Sequence, residues 1–197
     1  MKLLKRLYDW ILHWSDTPYG PIALFLLALA ESSFFPLPPD ALMIALILGA
    51  VKKSWRFALI TSVASVLGGM IGYAIGFGLW ESIAPFFFKY IPGFSEAGFQ
   101  KVLSHYQEMG FWYVFVAGFS PIPYKIFTIA SGVFHMNFPL FVLASAVSRP
   151  LRFFAIAALF RKFGPGIKKL IDKYFDLLAI LFVILIVAGF LVIKFLL

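Results

Sequence analysis

Two proline-broken segments limit what this chain can become. Pro36-Leu37-Pro38-Pro39-Asp40 and Pro121-Ile122-Pro123-Tyr124-Lys125 both read Pro-aliphatic-Pro-x-charge, lie 85 positions apart, and each interrupts an apolar run. Proline lacks a donor and disfavours helix in the residue before it, so each copy ends one helix before another starts. The charge is acidic in the first copy and basic in the second. An ionisable residue inside an apolar segment marks a functional site by default, and two broken helices in related halves are a transporter device.

The surroundings of these breaks are those of a membrane protein. The 197 residues are 62% hydrophobic and 13% charged, with a mean hydropathy of +0.94. A soluble domain is nearer 45–50% apolar and about 25% charged. No composition break marks a second domain. Cysteine is absent, which removes disulfide and thiolate chemistry. The net charge of +8 falls in short loops, where topology explains it better than nucleic-acid binding.

Element by element, residues 1–16 set Leu3, Leu4, Leu7, Trp10, Ile11 and Trp14 among Lys2, Lys5, Arg6 and Asp9, the pattern of an interfacial amphipathic helix. No signal-peptide cleavage pattern follows. Residues 21–51 hold two short apolar arms around Pro36, Pro38 and Pro39. Neither arm reaches the roughly 20 residues a span needs, so the segment reads as a re-entrant hairpin. Residues 57–80 form a span whose Gly68, Gly72 and Gly76 share a face suited to close packing. Residues 81–109 are a polar interlude, with Ser95 as an N-cap for a short helix ending near Glu108. Residues 110–134 repeat the hairpin pattern around Pro121 and Pro123, and residues 138–160 and 175–196 are two more spans.

Loop charges orient these pieces. Residues 1–16 carry three basic and two acidic groups, 52–56 three basic, 81–109 two basic and three acidic, and 161–173 five basic and one acidic. With two re-entrant hairpins and three crossings, every positive stretch falls on one side. The expected fold is therefore an all-α integral membrane protein. It has three transmembrane helices, two oppositely oriented re-entrant hairpins forming an inverted repeat, and an N-terminal amphipathic helix. Its N-terminus is cytoplasmic and its C-terminus outside.

Five ionisable residues lie deep in the apolar segments: Glu31, Asp40, Lys125, Arg149 and Arg152. One charge at the bilayer centre costs at least about 2.5–3.5 kcal/mol. The bland account pairs Asp40 with Lys125 and Glu31 with an arginine simply to lock the bundle. Such pairs add little net stability over apolar replacements, so a working site explains them better. Lys125 stands where a returning half-helix begins, a place that favours anions. Asp40 holds the equivalent place and can cap its half-helix. Lys125, Arg149 and Arg152 are the expected contacts of an anionic headgroup. Glu31 and Asp40 are the expected proton or ion carriers, because a carboxyl held out of water can take up and release a proton. His13, His105 and His135 are scattered without metal-ligand spacing, and His135 with Asn137 reads as a turn. No nucleophile elbow, zinc-protease or P-loop motif occurs. The chain is expected to be no enzyme and to hold no metal or cofactor.

At these residues the chain resembles the DedA family, also called the SNARE-associated Golgi protein or VTT-domain superfamily, and in particular its YqaA-like branch. The matching stretches are Glu31 to Asp40, Gly68 to Gly76 and Phe119 to Gly132, and the resemblance covers roughly residues 20–160. It implies lipid movement between leaflets, with undecaprenyl phosphate or a phospholipid as cargo and the proton-motive force as a driver. It also implies a bacterial inner-membrane location, and it matches Glu31 and Asp40 to the family's embedded acids. Many members carry two arginines around the second hairpin. Here Lys125 stands where one is expected, Ser120 or a neighbour replaces the other, and Arg149 or Arg152 is the candidate substitute. The leading expectation is transbilayer movement of a phosphorylated lipid. The alternatives are a small-ion or small-solute transporter and a non-transporting scaffold. A homodimer is compatible, since 197 residues make a thin wall around a polar cavity.

Overall fold

In the computed structural model, which describes residues 18–35, 38–90, 96–164 and 166, the chain is helical throughout, with no strand among the described residues. Helix α1 (Gly20–Ser33) ends before the first proline break and α2 (Asp40–Gly49) begins directly after it. A short 3-10 turn, Val51–Lys53, leads into the long α3 (Ser54–Tyr90). Helix α4 (Glu96–Phe119) runs to the second break, α5 (Tyr124–Val133) follows it, and α6 (Phe138–Gly164) completes the described chain.

Packing shows how the breaks turn the chain. Leu24 near the start of α1, Leu46 and Ile47 near the end of α2, Phe57 near the start of α3 and Phe160 near the end of α6 share one buried cluster. Helix α2 therefore doubles back beside α1. At the other end Tyr106 of α4, Met136 beyond α5 and Phe141 of α6 share a second cluster. Tyr106 packs against Phe134 with the rings tilted, 5.0 Å between ring centres, so α5 doubles back along α4. The two helical hairpins open toward opposite ends of the molecule, and their breaks meet between the clusters.

Helix α3 is the spine between them, and its glycines set the spacing. A Cβ at Gly68 would overlap the Leu29 carbonyl of α1, one at Gly72 the Thr128 hydroxyl of α5, and one at Gly76 the Ile129 carbonyl of α5. Gly132 of α5 returns the contact, lying against the Tyr73 carbonyl. This single glycine face lets one hairpin arm from each end seat on the same helix.

The surface is the inverse of a soluble protein's. On α3, Leu59, Val63, Leu67 and Ile71 recur every four residues and all are exposed; on α6, Leu143, Val147 and Leu151 do the same. The buried faces instead carry Ser32, Ser33, Thr61, Ser62, Ser65, Thr128, Ser131, Ser145, Ser148 and Arg149. Apolar outside with polar inside suits a hydrocarbon solvent. Val51–Phe86 and Phe138–Gly164 are long and apolar enough to cross one.

The structure corrects several expected boundaries. The span expected over 57–80 belongs to a helix that starts at Ser54 and runs on to Tyr90, with Pro85 inside it. The polar interlude is therefore largely helix. Trp80 stacks on Phe99 at 4.9 Å and Phe88 meets Phe99 edge-on at 6.0 Å, clamping the end of α3 against the start of α4. The short helix expected to end near Glu108 is continuous with the arm expected from 110. Tyr106, Gly110, Val114 and Ala117 lie buried along one unbroken face, where Gly110 admits the Met136 sulfur. The second hairpin thus has one arm of 24 residues, about 36 Å long, and one of 10 residues. His135 turns the chain from α5 to α6 with φ of 49°, and the Asn137 side chain accepts the Leu140 amide at 3.1 Å. The amphipathic helix at 1–16, the span at 175–196, Ser95, Pro36 and most of the 161–173 stretch lie outside the described residues.

Candidate functional site

The site is built where the two breaks meet α6. Pro39 is fully buried and precedes α2, which places Asp40 in the first helical turn. Pro123 precedes α5 and places Lys125 in its first turn. Arg149 and Arg152 are three apart on α6 and share a face. Pro150 stands between them without ending the helix. Glu31 lies two residues before the end of α1. All five expected charges gather here: Asp40 and Lys125 lie within electrostatic reach of Glu31, and Arg152 and Asp40 within reach of Arg149.

The first pair is sealed. Arg149 Nη2 meets Glu31 Oε2 at 3.3 Å, with side-chain exposures of 5% and 15%. Arg149 Nε donates to Ser65 Oγ at 2.6 Å and Nη1 to the Gly118 carbonyl at 3.4 Å. Its guanidinium lies between the rings of Tyr124 and Phe153, 4.6 Å from each. Ser32 Oγ donates to Glu31 Oε2 at 3.2 Å and shares a 2.6 Å hydrogen bond with Ser65. One arginine thereby ties α1, α3, α4 and α6 together, and each of its three nitrogens has an acceptor. Charge-assisted bonds of this kind are the stronger ones.

The second pair is open. Arg152 Nη2 meets Asp40 Oδ2 at 3.0 Å, with side-chain exposures of 19% and 24%. Arg152 Nη1 donates to the Ser120 carbonyl at 2.6 Å, so Arg152 also joins both breaks. Arg152 Nε, Asp40 Oδ1, Ser120 Oγ and Ser148 Oγ are buried atoms without a partner. Lys125 Nζ donates to the Phe35 carbonyl at 3.3 Å, across from one break to the other.

These contacts differ from the expected pairing. Asp40 pairs with Arg152, not Lys125, because α6 runs between the breaks and its guanidinium reaches the carboxylate first. Asp40 makes no side-chain cap at α2, where Pro39 is the N-cap; its carboxylate is held by Arg152. Its place in the first turn still suits the helix dipole. Ser120, one of the positions where the family's second arginine is expected, accepts from Arg152 through its carbonyl.

Hydroxyls missed in the sequence complete the site. Tyr124 donates to Ser145 Oγ at 2.5 Å. Thr128 donates to the Ser32 carbonyl at 3.1 Å, stitching α5 to α1. Ser33 donates to the Gly68 carbonyl at 2.9 Å. Ser65 carried a usable signal, since it lies three residues before Gly68 on the glycine face. Ser145 and Ser148 likewise precede Arg149 and Arg152 at helical spacing.

Comparison with known proteins gives the family. Residues 35–162 match the VTT domain, taking in both breaks and both arginines. A protein of Haemophilus influenzae, described as uncharacterized, is 36% identical over 194 residues, covering 98% of this chain and all of the relative. A relative from Histophilus somni is 34% identical over 159 residues, 81% of this chain and 82% of its own length. One from the archaeon Methanocaldococcus jannaschii is 27% identical over 135 residues, 68% of this chain and 79% of its own length. No solved structure gives a significant match. A helical fold with an apolar surface, a polar centre and this domain match place the chain in the VTT-domain family, the DedA and SNARE-associated group of membrane proteins.

Proposed function

We propose that the protein moves a phosphorylated lipid between membrane leaflets, with the meeting point of the two breaks as the headgroup site. The observation that carries this reading is the charge census there: three bases and two acids on three structural units, none on the exposed apolar surface. A surplus positive charge at mid-depth is costly unless an anion visits it. Two hairpins opening toward opposite ends, with their breaks meeting centrally, support a site approached from each side, the arrangement of re-entrant elements in an inverted repeat. Lys125 and Arg152 are the headgroup contacts in this reading. Arg149, fully engaged by protein groups, holds the site in shape. Protonation of Asp40 or Glu31 in the course of the cycle would couple it to a proton gradient. Transport, not catalysis, is the activity.

Charge at the two ends supports an orientation. Lys52, Lys53, Arg56, Arg161 and Lys162 are exposed at the end that holds the start of α3 and the end of α6. Glu81, Glu96, Lys101 and Glu108 are exposed toward the other. By the positive-inside rule the basic end faces the cytoplasm of a bacterial inner membrane.

The test is a leaflet-exchange assay in liposomes with a labelled phosphate-monoester lipid. The wild-type protein moves the label, and the folded Lys125→Gln/Arg152→Gln double variant does not. Full activity in that variant rejects the reading. Solute uptake without lipid movement would instead favour a small-solute transporter, and neither activity a scaffold.

A further inference from the structure

The two ion pairs differ in a way that bears on ligand binding. The Nε and Nη2 of a guanidinium lie along one edge, and that edge binds an oxyanion with two parallel N–H bonds. Asp40 uses only half of this edge on Arg152. Its Oδ2 takes Nη2 at 3.0 Å, while Asp40 Oδ1, the second acceptor, and Arg152 Nε, the second donor, are buried without partners. Buried polar atoms left unpaired are costly, and each calls for an explanation. Among the described residues, the buried side-chain atoms without partners all belong to Asp40, Arg152, Ser120 and Ser148. Ser120 offers its carbonyl to the same guanidinium, Ser148 precedes Arg152 by one helical turn, and Ser148 is wholly buried. Arg149, by contrast, has an acceptor for Nε and for both terminal nitrogens.

We infer that Asp40 is a displaceable internal counter-ion on Arg152, and that a phosphate monoester takes its place on the Nε–Nη2 edge with the Ser148 and Ser120 hydroxyls as further donors. The half-made fork keeps the cation paired while the site is empty and leaves Nε, with the two serine hydroxyls, ready for the incoming anion. Pairing with one anion or the other means that the Arg152 guanidinium never stands bare, and the incoming anion offsets the surplus positive charge of the site. Glu31 cannot be exchanged in this way, because Arg149 has no spare nitrogen and is closed in by Tyr124 and Phe153. This inference rests on the proposed headgroup site and specifies how its anion is admitted.

A binding cycle in detergent tests it without requiring transport. Isothermal titration with short-chain phosphatidic acid is run on wild type, Asp40→Asn, Arg152→Gln and the double variant. Removing the competitor in Asp40→Asn is expected to tighten binding about fivefold. The tightening is expected to vanish in the Arg152→Gln background, where the double variant replaces the ion pair by two amides and so stays matched. A gain that persists without Arg152 is a general charge effect and overturns the inference, as does unchanged or weaker binding in Asp40→Asn. Inorganic phosphate as a separate titrant distinguishes a lipid headgroup from a free anion: competition with phosphatidate at equal affinity identifies a free-phosphate ligand, and its failure a lipid one. Tightening without leaflet exchange in liposomes leaves the site standing and removes the transport reading. Exchange indifferent to the Asp40 charge does the reverse.

Discussion

Glu31–Arg149 and Asp40–Arg152 are chemically the same pair on the same two structural units, yet they differ in closure. Arg149 is 4% exposed, saturated with acceptors and enclosed by two rings. One helical turn further along α6, Arg152 keeps an unmatched nitrogen and its carboxylate an unmatched oxygen. The difference comes from the neighbours. Ser65 and the α4 carbonyl of Gly118 close around Arg149, whereas Arg152 faces the second break, where the chain has left helical geometry and offers only the Ser120 carbonyl. A buried charge can thus serve as architecture or as a site, according to how completely the fold satisfies it.

The largest effect is expected from breaking the sealed pair. Arg149→Ala leaves Glu31 without its counter-charge and should lower stability by about 3–5 kcal/mol, seen as loss of the monodisperse peak in size-exclusion thermal assays of detergent-solubilised protein. A variant as stable as wild type would show that the pair is not structural.

Gly68→Ala should follow, at about 1–3 kcal/mol, because its Cβ meets the Leu29 carbonyl two residues before Glu31. The same assay on Gly78→Ala, where a Cβ meets nothing within 4 Å, should show no loss and, from helix propensity, a gain of up to about 1 kcal/mol. Equal loss in both would mean that close approach to the Leu29 carbonyl does not govern the seam.

Ser65→Ala removes the hydroxyl that joins Arg149 to Ser32. A loss of about 1–2 kcal/mol is expected from the unpaired guanidinium nitrogen. Ser65→Thr, which restores a hydroxyl, should recover part of it, and equal behaviour of the two variants would count against the bond.

The smallest stability effect belongs to the open pair. Asp40→Asn should change stability by about 1 kcal/mol or less, although leaflet exchange should fall sharply if Asp40 takes part in the cycle. A stability loss matching that of Arg149→Ala would erase the distinction between the pairs.

Legibility in the sequence followed the range of the interaction. The breaks at Pro38–Pro39 and Pro121–Pro123 were readable because proline acts on its own backbone. The five charges were readable because a charge in an apolar run is conspicuous whatever surrounds it. The glycine face was readable from helical spacing. Partners were not: Lys125 is opposite in charge to Asp40 and equivalent in position, yet it donates to the Phe35 carbonyl. The interlude misled for a similar reason. Its polar residues suggested a loop, while Trp80, Phe88 and Phe99 pack the end of α3 to the start of α4 and carry both helices through.

From the sequence alone came the helical membrane class, the positions of the two breaks, the glycine seam and the roster of five charges in apolar segments. Each follows from local backbone chemistry or from the cost of taking a charge out of water. The tertiary structure alone decided which acid meets which arginine, and that one pair is closed and the other half-made. A hydrogen bond forms or fails over a few tenths of an ångström. That distance is set by how α6 threads between two breaks 85 residues apart, which no local pattern records.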